Sequence, residues 1–172
     1  MSDAIRPGVL VVGVGNVLRG DDGAGIEVAR RVRECLRSDD IDVRELPGDP
    51  TALLDVCLGR EAVVLVDTMR SGASPGTIRR LDASTRPLPA RERHGPRSTH
   101  TAGLADAVEL ARALGALPAR AIVYAVEGRR YDAGAELSDA LEAILPTLVE
   151  RVVREARSLH ASHGSLTGFS AS

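Results

Sequence analysis

A chain of 172 residues, 44% apolar and 27% charged, is long enough to bury one aliphatic core and has the make-up of a soluble globular domain. Its formal net charge of −2 excludes bulk attraction to nucleic acid or to a membrane surface. The two cysteines, Cys35 and Cys57, supply neither a disulfide framework nor a zinc spacing and read as buried small apolar groups.

In chain order, Gly8–Val14 is a continuous apolar run ending in a Gly/Asn loop, as expected of a strand buried on both faces. A helical period follows from Gly23 to Leu36, carried by Ile26, Ala29, Val32, Cys35 and Leu36. Asp42–Leu46 alternates like a less buried strand, and Thr51–Leu58 reads as a short helix. Ala62–Asp67 is a second buried strand; Thr77–Leu81, after the turn Ser74-Pro75-Gly76, is an edge strand. Ser84–Thr99 is rich in Pro and Arg, has no apolar period and reads as a mobile loop. Thr101–Leu114 is helical, Ala121–Glu127 is a third buried strand, and Leu137–Leu159 is a long amphipathic helix that Pro146 should kink or divide. Strands alternating with helices imply a mostly parallel sheet covered on both sides. The expected organisation is one domain over 1–160 and a flexible tail over 161–172. No run approaches the ~20 apolar residues of a spanning helix and the N-terminus lacks a targeting pattern, so a cytoplasmic protein with no membrane contact is expected.

In such a sheet the strand C-termini and the following helix N-termini share one edge, where ligands bind. Asn16, Asp21 and Asp22 fall there after the first strand, and Pro47-Gly48-Asp49 and Thr51 after the second. Asp67 ends the third apolar run or lies one residue beyond it, His100 stands at a helix start, and Glu127 ends the last strand. Asp22, Asp67 and His100 are distant in sequence but able to meet in space. Two carboxylates and an imidazole make a divalent-metal site with open positions. A helix N-terminus disfavours imidazolium and so keeps His100 in its metal-binding form. Each residue alone also has an ordinary structural role: Asp21 or Asp22 as a helix cap, Asp67 as a loop hydrogen-bonder, His100 as a cap or surface group. Glu127 suits a structural hydrogen bond or a substrate contact equally.

Gly13-Val14-Gly15-Asn16-Val17-Leu18 begins like a dinucleotide fingerprint but has Leu18 in place of the third glycine. Where a phosphate loop would carry Lys-Ser/Thr, the chain has Asp21-Asp22, which repel an anion and favour a cation. Neither a His-Glu-x-x-His helix nor a Gly-x-Ser-x-Gly turn is present.

Residues 13–25, with Val64-Leu65-Val66-Asp67 and Ser98-Thr99-His100-Thr101-Ala102-Gly103-Leu104-Ala105-Asp106, resemble the three signature blocks of the [NiFe]-hydrogenase maturation endopeptidases, in order and spacing, over about residues 8–155. The resemblance implies a three-layer α/β/α fold, phosphorylase/hydrolase-like, with a mostly parallel twisted sheet of about five strands. It implies a metal-dependent endopeptidase that removes the C-terminal extension of the hydrogenase large-subunit precursor after nickel insertion. The metal contacts and catalytic groups would be Asp22, Asp67 and His100, with Asp21 the neighbouring alternative. The nickel would be supplied by the substrate, and no organic cofactor is implied. The loop Leu46-Pro47-Gly48-Asp49-Pro50-Thr51 departs from the Asp-Gly-Gly-Thr run of some members, which bears on substrate contacts. Arg86, Arg91, Arg93 and Arg97 of the loop before His100 are candidates for holding the precursor, or else a solvated surface. The competing readings are a metallopeptidase acting on another precursor, a non-catalytic nickel-binding module, and a nucleotide-binding domain, the last disfavoured by Leu18 and the paired aspartates.

Overall fold

The apolar runs form strands because each is covered from both sides. In β1 (Val9–Gly15) every residue is buried. Val9 and Val11 face one layer of helices, Leu10, Val12 and Val14 the other. This computed structural model describes residues 8–36, 39–47, 50–88 and 103–167. After β1 come α1 (Ala24–Cys35), β2 (Ile41–Pro47), α2 (Leu53–Cys57), β3 (Ala62–Met69), β4 (Ile78–Asp82), α3 (Leu104–Ala113), β5 (Arg120–Glu127) and α4 (Asp139–Thr167). The five strands lie in the order β2-β1-β3-β5-β4. The first four in that order are parallel, and β4 pairs antiparallel with β5 at the edge. Helices α1 and α4 cover one face, α2 and α3 the other, giving the expected α/β architecture.

Two features differ from expectation. Pro146 does not divide α4, which is one helix through Thr167 and runs past the boundary drawn at residue 160. Pro146 and Glu142 both face solvent, so the carbonyl deprived of its N–H partner meets water, while Leu141, Leu145, Leu148 and Val149 keep the helix on the core. Residues 168–172 of the expected tail lie outside the described residues. Cys57 is buried in the α2 layer, and burial pushes its thiol up to about 12, but Cys35 is exposed on the last turn of α1. The helical period points Cys35 off the core stripe that Val28, Ala29 and Val32 occupy. Among the described residues, no helix is long and apolar enough to cross a membrane.

Candidate active site

The chain order places β2 on one side of β1 and β3 on the other, so the crevice between β1 and β3 is the topological switch point of the sheet. Helix α1 starts directly above it. A side chain at Gly25 would strike the carbonyl oxygens of Val14 and Val66, and one at Gly13 would strike the Gly25 carbonyl. Glycine at both positions lets the first turn of α1 rest on the bare backbones of β1 and β3. Gly15, at φ +142°, turns the chain out of β1 so that Asn16 N–H donates to the Asp22 carbonyl at 3.0 Å. The Asn16 side chain accepts from Leu18 N–H at 2.9 Å, and the resulting tight loop ends in a 3₁₀ turn, Gly20–Gly23.

The adjacent acids of that turn have opposite environments. Asp21 is fully buried. Its Oδ2 accepts from the backbone N–H groups of Arg129 (2.7 Å) and Arg130 (2.8 Å) and from Ser138 Oγ (3.0 Å), and its Oδ1 accepts from Ser138 N–H (2.7 Å). Burial alone would raise its pKa, but these donors together hold the carboxyl below its ordinary value. The backbones join as well, through Asp21 N–H to Arg130 O at 2.7 Å and Gly20 N–H to Ala135 O at 3.0 Å. Asp21 therefore clamps the loop after β1 to the segment after β5, and its carboxylate is saturated.

Asp22 is half-buried and its carboxylate accepts no hydrogen bond from the described residues. Burial raises its pKa, against the opposing pull of the Arg19 and Arg70 guanidiniums. Asp67 lies within β3, which continues through Thr68 to Met69, so the strand outruns the apolar run that marks it in the sequence. Burial pushes Asp67 up to about 8, opposed by the Thr68 N–H on Oδ1 (2.7 Å) and reinforced by the charge of Asp22. The two carboxylates are thus near enough at the β1/β3 crevice for the charge of Asp22 to add to burial in keeping Asp67 protonated at neutral pH. His100 lies outside the described residues, as do Gly48, Asp49, Arg91, Arg93 and Arg97. Among the described residues, no cluster of three or more His, Cys, Asp or Glu side chains forms a metal site.

The remaining edge residues have other partners. Glu127 is buried, and its carboxylate accepts from Ser71 N–H, Ser71 Oγ and Gly72 N–H at 2.8–3.0 Å, a structural tie of the loop after β3. Thr51 is exposed on a short turn before α2. The start of the Arg-rich segment is held in place: Leu88 is buried with its N–H on Glu109 at 3.0 Å, and the Arg86 carbonyl accepts from Arg112. Beside Asp22 opens a cleft of about 600 Å³ lined by Arg19, Arg70, Arg129, Tyr131 and neighbouring backbone. The Arg70 guanidinium lies 3.6 Å over the Tyr131 ring, and Tyr131 Oη donates to the Met69 carbonyl at 3.1 Å. Sequence reasoning passed over these residues; their one visible signal is position, immediately after the ends of β1, β3 and β5.

Comparison with known proteins agrees with this fold. The family model for HycI, hydrogenase maturation protease, matches residues 26–155. Hydrogenase expression/formation protein HoxM of Azotobacter vinelandii is 30% identical over 165 residues, covering 88% of this chain and 77% of the relative. The corresponding HupD of Rhodobacter capsulatus is 29% identical over 153 residues, covering 87% and 71%. Among solved structures, the [NiFe] hydrogenase maturation protease HybD from Thermococcus kodakarensis superposes with a TM-score of 0.68 at 26% identity, covering 87% of this chain and 99% of that one. The hydrogenase maturating endopeptidase HybD from E. coli gives 0.64 at 23% identity, covering 88% and 93%, and bears on the fold. With the matched residues spanning most of the chain and the sheet edge built as described, this protein belongs to the hydrogenase maturation protease family and is an endopeptidase of hydrogenase processing.

Proposed function

We propose that this endopeptidase removes the C-terminal extension of the [NiFe]-hydrogenase large-subunit precursor in the cytoplasm after nickel insertion, and that it recognises the nickel carried by the precursor through Asp22, Asp67 and His100. The observation that carries the reading is the Asp22/Asp67 pair. One acid on the turn after β1 and one on β3 lie near each other without a salt-bridge partner among the described residues, and Asp67 is pushed up to about 8 by burial and by the charge of Asp22. That arrangement disfavours two negative charges and favours a cation between them. His100, which precedes α3 in the sequence, would supply the imidazole of the set.

A divalent ion at this place polarises a carbonyl and lowers the pKa of bound water. The chain's own residues do the rest. Asp22 and Asp67 give up the proton held on Asp67 when the precursor docks, which makes docking pH-dependent. Their fixed positions hold the scissile peptide against the sheet edge. One of the two carboxylates takes a proton as the water oxygen bonds to the carbonyl carbon, and returns it to the amide nitrogen as the C–N bond breaks. Asp21 takes no part in this chemistry and holds the turn that presents Asp22.

The test incubates the chain with nickel-loaded and nickel-free precursor and follows the loss of the extension by mass. Cleavage confined to the nickel-loaded form is expected. Equal cleavage of both forms removes nickel recognition, and binding without cleavage favours a nickel-binding module.

A further inference from the structure

The cleft beside Asp22 gathers positive charge from three separate parts of the chain. Arg19 comes from the loop after β1, Arg70 from the end of β3, and Arg129 from the segment after β5. No described carboxylate forms an ion pair with any of them. Glu127 also lines the cleft, but its carboxylate is turned into the Ser71–Gly72 loop by its hydrogen bonds. Arg70 is pre-oriented by Tyr131, which is itself tethered to Met69, so little side-chain freedom is lost when its fork meets an acceptor.

We propose that this cleft is a carboxylate subsite for the polypeptide substrate, seating an anionic group of the precursor beside the scissile bond. The inference rests on the proteolytic reading above and names what flanks the cut. A guanidinium fork matches the two oxygens of a carboxylate. Asp22 nearby and Asp132 on the lining repel a multiply charged phosphate and leave room for a single negative charge. Gly72 and Gly128 put bare backbone in the wall, where an extended chain can lie. The carboxylate comes from an Asp or Glu side chain or from a free chain terminus.

The test titrates the metal-free full chain with three N-acetylated tetrapeptides of alanine: one amidated with a central Glu, one amidated with a central Gln, and one all-Ala with a free C-terminus. The readout is the amide resonances of Gly72 and Gly128. Saturable shifts with the Glu peptide, the free-terminus peptide or both, and none with the Gln peptide, are expected, and the arm that binds identifies the source. Arg70→Gln should weaken the binding about tenfold, while Arg154→Gln, on the exposed side of α4, should not change it. Equal shifts with the Gln peptide, no shifts with either carboxylate, or undiminished affinity in a folded Arg70→Gln protein overturns the subsite. Metal and cleavage play no part in these titrations. Loss of binding with normal processing therefore removes this inference alone, and binding without processing removes the proteolytic reading alone.

Discussion

Asp21 and Ser138 meet through two hydrogen bonds, backbone N–H to Oδ1 at 2.7 Å and Oγ to Oδ2 at 3.0 Å, across a separation of 117 residues. With the N–H groups of Arg129 and Arg130 on the same carboxylate, one buried side chain ties the loop after β1 to the segment after β5. Asp21→Ala leaves those donors without an acceptor. A loss of roughly 3 kcal/mol is expected, read as a fall in Tm of about 6–12 °C. Ser138→Ala removes only the hydroxyl and should cost about 1 kcal/mol.

Asp67 makes stability depend on pH in the opposite sense from Asp21. Its folded pKa, about 8, lies above the ordinary 3.8. The folded state therefore binds more protons between those values. The stabilisation is complete below about 3.8 and is lost as pH rises through about 8. Asp67→Asn removes that loss. In denaturant titrations it should gain stability over wild type progressively from acid to alkaline pH, and processing should be abolished. A stability difference that does not change with pH would contradict the part-buried, proton-holding Asp67.

Substituting the proposed cation ligands separates them from their neighbours. Asp22→Asn and His100→Ala should lower the rate on nickel-loaded precursor about 100-fold or more. The melting temperature of Asp22→Asn should stay near wild type, because the Asp22 carboxylate accepts no hydrogen bond from the described residues. Glu127→Gln should do the reverse, with a lower Tm from the loosened Ser71–Gly72 loop and residual cleavage retained. Normal processing by either of the first two variants would remove the proposed ligand set.

Gly25→Ala should be among the most damaging single changes, because the added carbon meets backbone of β1 and β3, which cannot yield as a side chain can. A loss of about 3 kcal/mol or more, or failure to accumulate as folded protein, is expected. Gly103→Ala, with no atom of the described residues within 4 Å of the added carbon, should cost about 1 kcal/mol or less. Thermal melts of the pair decide the matter.

Most of the sheet was legible because strands buried on both faces must be continuously apolar. Val9–Val14, Ala62–Val66 and Ala121–Val126 carry that mark, and the alternation of Asp42–Leu46 marks an edge. The extension of β3 to Met69 was not legible, since its part-buried end, Thr68-Met69, has no such mark and is defined by pairing with Val126 and Glu127. The choice between Asp21 and Asp22 could not be made locally. Adjacent acids are equivalent in a string, and here they are distinguished by Ser138, Arg129 and Arg130 from the far end of the chain. The arginine cleft escaped for the same reason, being assembled from three loops that share no motif. Pro146 misled because a break is certain only where the bereaved carbonyl has no access to water.

Asp67 and Asp22 are mounted differently. Two more ladder residues follow Asp67 in β3, so its Cα cannot shift without moving β5. Asp22 rides on a turn that hangs from Asp21. In the proposed cation site the pair would work as a vice with one jaw cast into the frame and the other on a separate mount, and adjustment of grip, such as a longer acid at position 22, could be made on the second jaw while the frame stays as it is.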